Sequence, residues 1–295
     1  DHRFLHLSFR RQRQMCIRDR FHSLMPIFES MFYVNVSYKL SLLPTATPYS
    51  RNAIFCGLFP DEMVKKYPEQ ARLMVEHTSS LNLLEPQFLE DQLKRLGLGD
   101  KSMHYHKIWA VEEGKKFQNR IPDFLQRDML ALVVNFVDML AHRSSQTDVL
   151  KEMVQDETGY RAAVKSWLEH SWLLQVLKKL SESDFTVIVT SDHGSIRVQK
   201  DVMVAADREA STGVRYKYGR NLNTKDRNAL IIHDPAQYRL PAFGPQPTYL
   251  IARDDVFFVY PNQVHKFLSK FKNSFQHGGI SMEEMMVPVA VMKAR

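Results

Sequence analysis

Apolar and polar positions along this chain recur with two periods, and the switches between them mark its elements. Over residues 21–32, Leu24, Met25, Ile27, Phe28, Met31 and Phe32 recur at three- and four-residue spacing, which predicts a helix with one buried face. A short strand follows. Thr47-Pro48 then opens a helix, because proline is tolerated where the amide has no intrahelical partner, and Gly57 with Pro60 closes it. Residues 61–99 predict two or three helices, striped by Leu73, Met74, Leu84, Phe88, Leu89 and Leu93. Residues 103–111 and 130–137 have strand character, and 158–180 predict one long amphipathic helix through Val164, Trp167, Leu168, Trp172 and Val176. Val187-Ile188-Val189-Thr190 is a run of β-favouring residues and predicts a buried parallel strand. Residues 228–232 and 248–259 predict further strands, the latter a hairpin turning at Asp254-Asp255, and 262–271 predict a helix. Helices alternating with short apolar strands give an α/β class: a mostly parallel sheet flanked by helices.

With 295 residues, 44% of them hydrophobic, the chain can bury an enzyme-sized core. No apolar run approaches the ~20 residues of a membrane span. Cys16 and Cys56, the only cysteines, show no pairing pattern, which excludes a disulfide framework and a thiolate zinc site and sets a cytoplasmic location as the expectation. The formal charge of +7 is uneven: residues 1–20 hold six Arg and two Asp, leaving +3 for the rest. The body is therefore only mildly basic, and charge alone argues little for nucleic acid. Residues 1–20 have no helical or strand period, and 10–20 resemble translated sequencing-adapter sequence. They are set aside as a foreign segment, and 21–295 are taken as the domain. A basic anchor or nucleic-acid arm is the rival reading, but the segment lacks an amphipathic face.

The candidate chemistry collects where strands end. Ser191-Asp192-His193-Gly194 follows a strand, and Asp192 and His193 suit a divalent cation such as zinc or manganese; a capping Asp beside a solvated His fits the same residues. Asp138 and His142 are four apart, so one helical turn would place carboxylate and imidazole on one side. His277 precedes Gly278-Gly279, which permit close backbone approach. Thr47, at a helix start, could attack a phosphate held by backbone N–H groups there, or could be an ordinary N-cap. His104 and His106 could bind metal, but exposed strand histidines describe them better. Over residues 207–221, Arg208, Arg215, Lys217 and Arg220 interleave with Tyr216 and Tyr218, as in a segment that holds phosphate and stacks a ring; a solvated loop is the alternative.

Taken together, these stretches resemble the alkaline phosphatase superfamily, and more closely the PglZ domain that forms the output half of PorX-like response regulators of type IX secretion. Residues 44–60 look like the nucleophile segment of nucleotide pyrophosphatases/phosphodiesterases, with Thr47 on the nucleophile. Asp138-x-x-x-His142 is similar to that superfamily's Asp/His pair, and residues 191–194 and 277–279 to its other metal-binding segments. Residues 207–222 and 281–288 are what point to PglZ. The resemblance implies an alkaline phosphatase-like fold and a two-metal phosphodiesterase, with zinc or manganese as cofactor. Asp138, His142 and His277 would hold one ion, and Asp192, His193 and Thr47 the other. It further implies a phosphate-ester substrate such as an oligonucleotide or cyclic nucleotide, a homodimer, and a sigma-factor or secretion-system partner. An aspartate on a first strand normally completes the second site, and neither it nor a receiver domain is found in 21–295. The rival function is therefore a catalytically impaired signalling module that binds a nucleotide or a protein. A sulfatase is disfavoured, because threonine cannot be converted to the aldehyde that chemistry needs.

Overall fold

The computed structural model describes residues 20–76, 81–143, 152–154, 156–205 and 213–295. Its strands, in chain order, are β1 (Phe32–Leu40), β2 (Met103–Ile108), β3 (Met129–Val134), β4 (Val187–Thr190), β5 (Ile196–Arg197) and β6 (Lys200–Met203), then β7 (Tyr216–Gly219), β8 (Ala229–Ile232), β9 (Thr248–Ala252), β10 (Val256–Val259), β11 (Phe275–Gln276) and β12 (Met286–Ala294). With the intervening helices they form two compact units. The first comprises Asp1–Lys39, Gly97–Ser191 and Pro288–Arg295; the second comprises Leu40–Leu96 and Asp192–Val287. The alternation of helices and strands is that of an α/β protein, as the sequence pattern predicts. The foreign-segment reading covers residues 1–20, of which 1–19 lie outside the described residues; Arg20 ion-pairs with Glu157 and stands 5.2 Å from the Tyr160 ring centroid.

In the first unit β2 and β3 pair in parallel, and β12 lies between β1 and β4. Helices Val111–Asn119, Glu157–His170 and Trp172–Ser181 contribute Phe117, Leu168, Trp172, Val176 and Leu177 to one core with Phe28, Phe32, Ala290 and Met292. A methyl on Gly114 would fall 2.0 Å from the Trp172 indole nitrogen, so only glycine fits under that ring. His104 and His106 join the edge of this core: His104 stacks on Phe124 at 4.2 Å and His106 tilts against Phe117 at 5.0 Å. Burial lowers both imidazole pKa values and so favours their neutral forms.

Two expectations fail here for identifiable reasons. The helix expected over 158–180 is broken at Ser171, whose backbone is extended (φ −93, ψ 162) and whose hydroxyl donates to the Leu168 carbonyl at 3.2 Å. Such local bonds compete with helix continuation. Strand β4 is neither parallel nor buried on both faces: it runs antiparallel to β12, and Ile188 is 62% exposed while Val187 and Val189 pack on the core.

In the second unit β9 is central, with β7 and β8 antiparallel on its two sides. All residues of β9 and β10 are buried, which explains the apolar runs 249–252 and 256–259 on either side of Arg253-Asp254-Asp255. They do not form a hairpin, because β10 pairs in parallel with β6, and the chain changes sheets through Asp254 at φ 39. Helix Thr47–Cys56 packs beside helix Glu85–Arg95 and ends at Gly57 (φ 60), whose N–H donates to Ala53 at 2.8 Å. Tyr49, Met63, Phe88, Tyr218, Tyr249 and Ile251 lie in the core beneath it.

Candidate active site

The N-cap of helix Thr47–Cys56 is Ala46, in extended conformation, so Thr47 is the first helical residue and its hydroxyl does not serve as the cap. Thr47 Oγ1 instead lies 3.1 Å from His193 Nε2. His193 Nδ1 is 3.0 Å from the Gly194 carbonyl, which can only accept, so the ring proton belongs on Nδ1 and the Nε2 lone pair faces the threonine. The Thr47 hydroxyl therefore donates to His193. His277 is arranged in the same way, its Nδ1–H donating to the Thr45 carbonyl at 3.0 Å. The two imidazoles stack with centroids 4.1 Å apart and an 18° interplanar angle. Asp192 Oδ2 stands 3.6 Å from His193 Nε2; it is buried and makes no hydrogen bond.

Neighbouring main chain fixes these positions. Thr45 Oγ1 accepts from Gly278 N–H at 3.1 Å and donates to the Gly279 carbonyl at 2.7 Å. Ser41 Oγ donates to the Asp192 carbonyl at 2.5 Å. Asn82 Nδ2 donates to the Thr47 carbonyl at 3.3 Å and to Asn52 Oδ1 at 2.7 Å, and Asn52 Nδ2 donates to Pro48 and Leu81 carbonyls, each at 3.0 Å. Arg51, one turn after Thr47, pairs at 2.5 Å with the fully buried Glu85. A methyl on Gly194 would lie 2.0 Å from the Glu283 carbonyl, which explains the glycine after His193. Thr45, Asn52, Asn82 and Glu85 were not singled out from sequence, where nothing in their spacing marks them.

The structure redistributes the residues expected to meet substrate. Arg215 is wholly buried and ion-paired with Glu284, so its guanidinium cannot hold a substrate phosphate. Lys217 is 1% exposed, its ammonium 4.7 Å over the Tyr260 ring, which corrects the same expectation for this residue. Tyr218 is core: its hydroxyl donates to the Phe243 carbonyl, its ring lies 4.8 Å from Tyr249, and burial pushes its pKa up to about 12. It offers no stacking face. Tyr216 is half-buried and edge-on to Tyr49 at 5.8 Å, while Arg220 is exposed. Arg208 lies outside the described residues. Asp138 is half-buried in the first turn of helix Phe136–Arg143, in the first unit; His142 is on the same helix, its side chain outside the described part.

Among the described residues, no three His, Cys, Asp or Glu side chains gather as a metal-binding group. The donors in the second unit still suit a divalent cation in kind. Asp192 Oδ2 is an orphaned buried carboxylate oxygen, and such an atom is costly unless something compensates its charge. His193 and His277 each donate Nδ1–H to a carbonyl, the tautomer that metal-binding imidazoles use.

A family model described as the BREX system PglZ alkaline phosphatase-like domain matches residues 21–292. The chain belongs to the PglZ family. This PglZ domain is thus an alkaline phosphatase-like hydrolase domain, with the corresponding α/β fold. Among solved structures it resembles phosphonoacetate hydrolase from Sinorhizobium meliloti 1021 in complex with phosphonoformate, at 13% identity and a TM-score of 0.52, covering 91% of this chain and 83% of that one. At that identity the likeness is one of fold. No curated protein matches the chain, and among the described residues no helix is long and apolar enough to cross a membrane.

Proposed function

We propose that this PglZ domain is a metal-dependent phosphodiesterase acting on nucleotide-type phosphodiesters through Thr47. The observation that carries the reading is the 3.1 Å contact between Thr47 Oγ1 and His193 Nε2, made by a threonine at the first position of its helix. In the reaction, Oγ1 attacks phosphorus in line and its proton passes to a solvent water, the Nε2 lone pair of His193 being kept for the cation. The bond to the departing ester oxygen breaks, and a phospho-threonine remains. Water then cleaves it and restores the hydroxyl. Asp192, His193 and Thr47 would hold one divalent ion, zinc or manganese, with His277 as a further donor. Asp138 and His142, one turn apart on their helix, form a second donor pair. A bound ion would neutralise charge building on phosphate and leaving group. Arg220 and Tyr216 are the remaining candidates to bind phosphate and stack a base. The setting, a cytoplasmic and homodimeric output domain of a PorX-like response regulator with a secretion or sigma-factor partner, rests on the sequence resemblance alone.

A second reading draws on the absence of a three-donor group among the described residues: a signalling module that binds a nucleotide or a protein partner without turnover. Initial rates on bis(p-nitrophenyl) phosphate with added zinc separate the two. The enzyme reading expects zinc-dependent turnover that falls at least ~10³-fold in Thr47→Ala. Turnover unchanged by the substitution refutes the nucleophile, and zinc bound without turnover in the unaltered chain supports the module.

A further inference from the structure

In the second unit, Arg215 and Glu284 join residues 213–222 to residues 281–287 through one ion pair. Arg215 Nε and Nη2 donate to Glu284 Oε1 and Oε2, each at 2.7 Å, with both side chains fully buried. Arg215 Nη1 also donates to the Val256 carbonyl and Nη2 to that of Asp254. Burial alone would raise the Glu284 pKa, but the Arg215 charge and the hydrogen bonds to the carboxylate outweigh it and hold the group below its usual range.

The same carboxylate accepts two further bonds, from Gly279 N–H at 2.8 Å on Oε1 and from Ser281 N–H at 3.1 Å on Oε2. The Glu284 carbonyl accepts Gly194 N–H at 2.8 Å. One residue therefore grips the chain immediately after His193 and two residues after His277. There is little room for slack: a methyl on Gly279 would lie 2.3 Å from Arg215 Nη2. A buried ion pair is weak evidence for stability, since apolar substitutes often do as well. An apolar side chain here, however, would leave the Gly279 and Ser281 amides without their acceptor. The bidentate guanidinium fixes the carboxylate plane, and so the direction in which it holds those amides.

We propose that Glu284, clamped by Arg215, is a positioning residue that sets the spacing of His193 and His277 and thereby their affinity for a divalent cation. This rests on the reading of the two histidines as cation donors. The test uses the full chain as Glu284→Gln and Glu284→Asp, with Val176→Ala, in the core of the other unit, as a control for general loss of stability. Zinc affinity is read by competition with a chromophoric chelator, and the imidazole ¹H–¹⁵N signals of His193 and His277 are read with chelator present and no metal. Glu284→Gln is expected to weaken zinc binding about 10–100-fold, the range for outer partners of metal-binding histidines, and to move both imidazole signals. Glu284→Asp falls between, and Val176→Ala changes neither. Wild-type zinc affinity with unmoved imidazoles in Glu284→Gln overturns the proposal. Absence of zinc binding in the unaltered chain would refute the metal reading instead, and the metal-free imidazole signals would still decide whether Glu284 positions the rings. Should the variants not fold, amide exchange in the unaltered chain decides: Gly194, Gly279 and Ser281 should open together, and independent exchange overturns the clamp.

Discussion

Lys217→Met should stabilise this protein, by an amount that depends on pH in a calculable way. Lys217 lies on β7 and is 1% exposed, and burial pushes its pKa down from 10.5 to about 8. A shift of that size corresponds to about 3 kcal/mol of cost for keeping the ammonium charged in the folded state. The Tyr260 ring, 4.7 Å from Nζ, returns about 1–2 kcal/mol as a cation–π contact. Methionine keeps the length of the stem without the charge, so a net gain of about 1–2 kcal/mol is expected near pH 7. The sign follows from proton counts: between pH 8 and 10.5 the unfolded chain binds the proton that the folded chain has lost, so wild-type stability rises with pH there. The advantage of Lys217→Met is thus full below about pH 8 and falls as pH rises through that window. Urea denaturation of both proteins across the window measures the difference, in which other titrating groups cancel. A pH-independent difference, or a variant less stable near pH 7, would refute the burial argument.

Other consequences are equally direct. Gly114→Ala drives a methyl into the Trp172 ring and should cost about 1–3 kcal/mol, read as a lower Tm without loss of zinc binding. Arg51→Met removes one ion-pair partner of the fully buried Glu85 and should cost about 1–3 kcal/mol in denaturant titration, more than Glu85 and Arg51 changed together to Met. Thr47→Ser keeps a hydroxyl beside His193 and should retain turnover that Thr47→Ala loses, in the same initial-rate assay.

What sequence could reveal here was set by how local each signal is. The Pro48 and Gly57 signals bracket helix Thr47–Cys56 because both act through their own backbone angles. Thr47, Asp192, His193 and His277 were legible as candidate residues at element ends, and in the second unit their side chains lie together. The roles of Arg215 and Lys217 were not legible, because a basic–aromatic alternation looks the same whether its cations face solvent or are buried against Glu284 and Tyr260. The sequence partner of Arg215 lies 69 residues away, beyond any periodicity. Likewise residues 248–259 were legible as strands but not as β9 and β10 in two different sheets, since strand pairing is decided by tertiary neighbours.

The most direct test of the Thr47 mechanism is to quench the zinc-loaded protein with acid during turnover of a phosphodiester and map phosphate on the digested chain by mass spectrometry. Phosphate on the peptide containing Thr47, absent from Thr47→Ala, is the predicted result. Turnover with no phosphorylated peptide, or with the label on another residue, would contradict it.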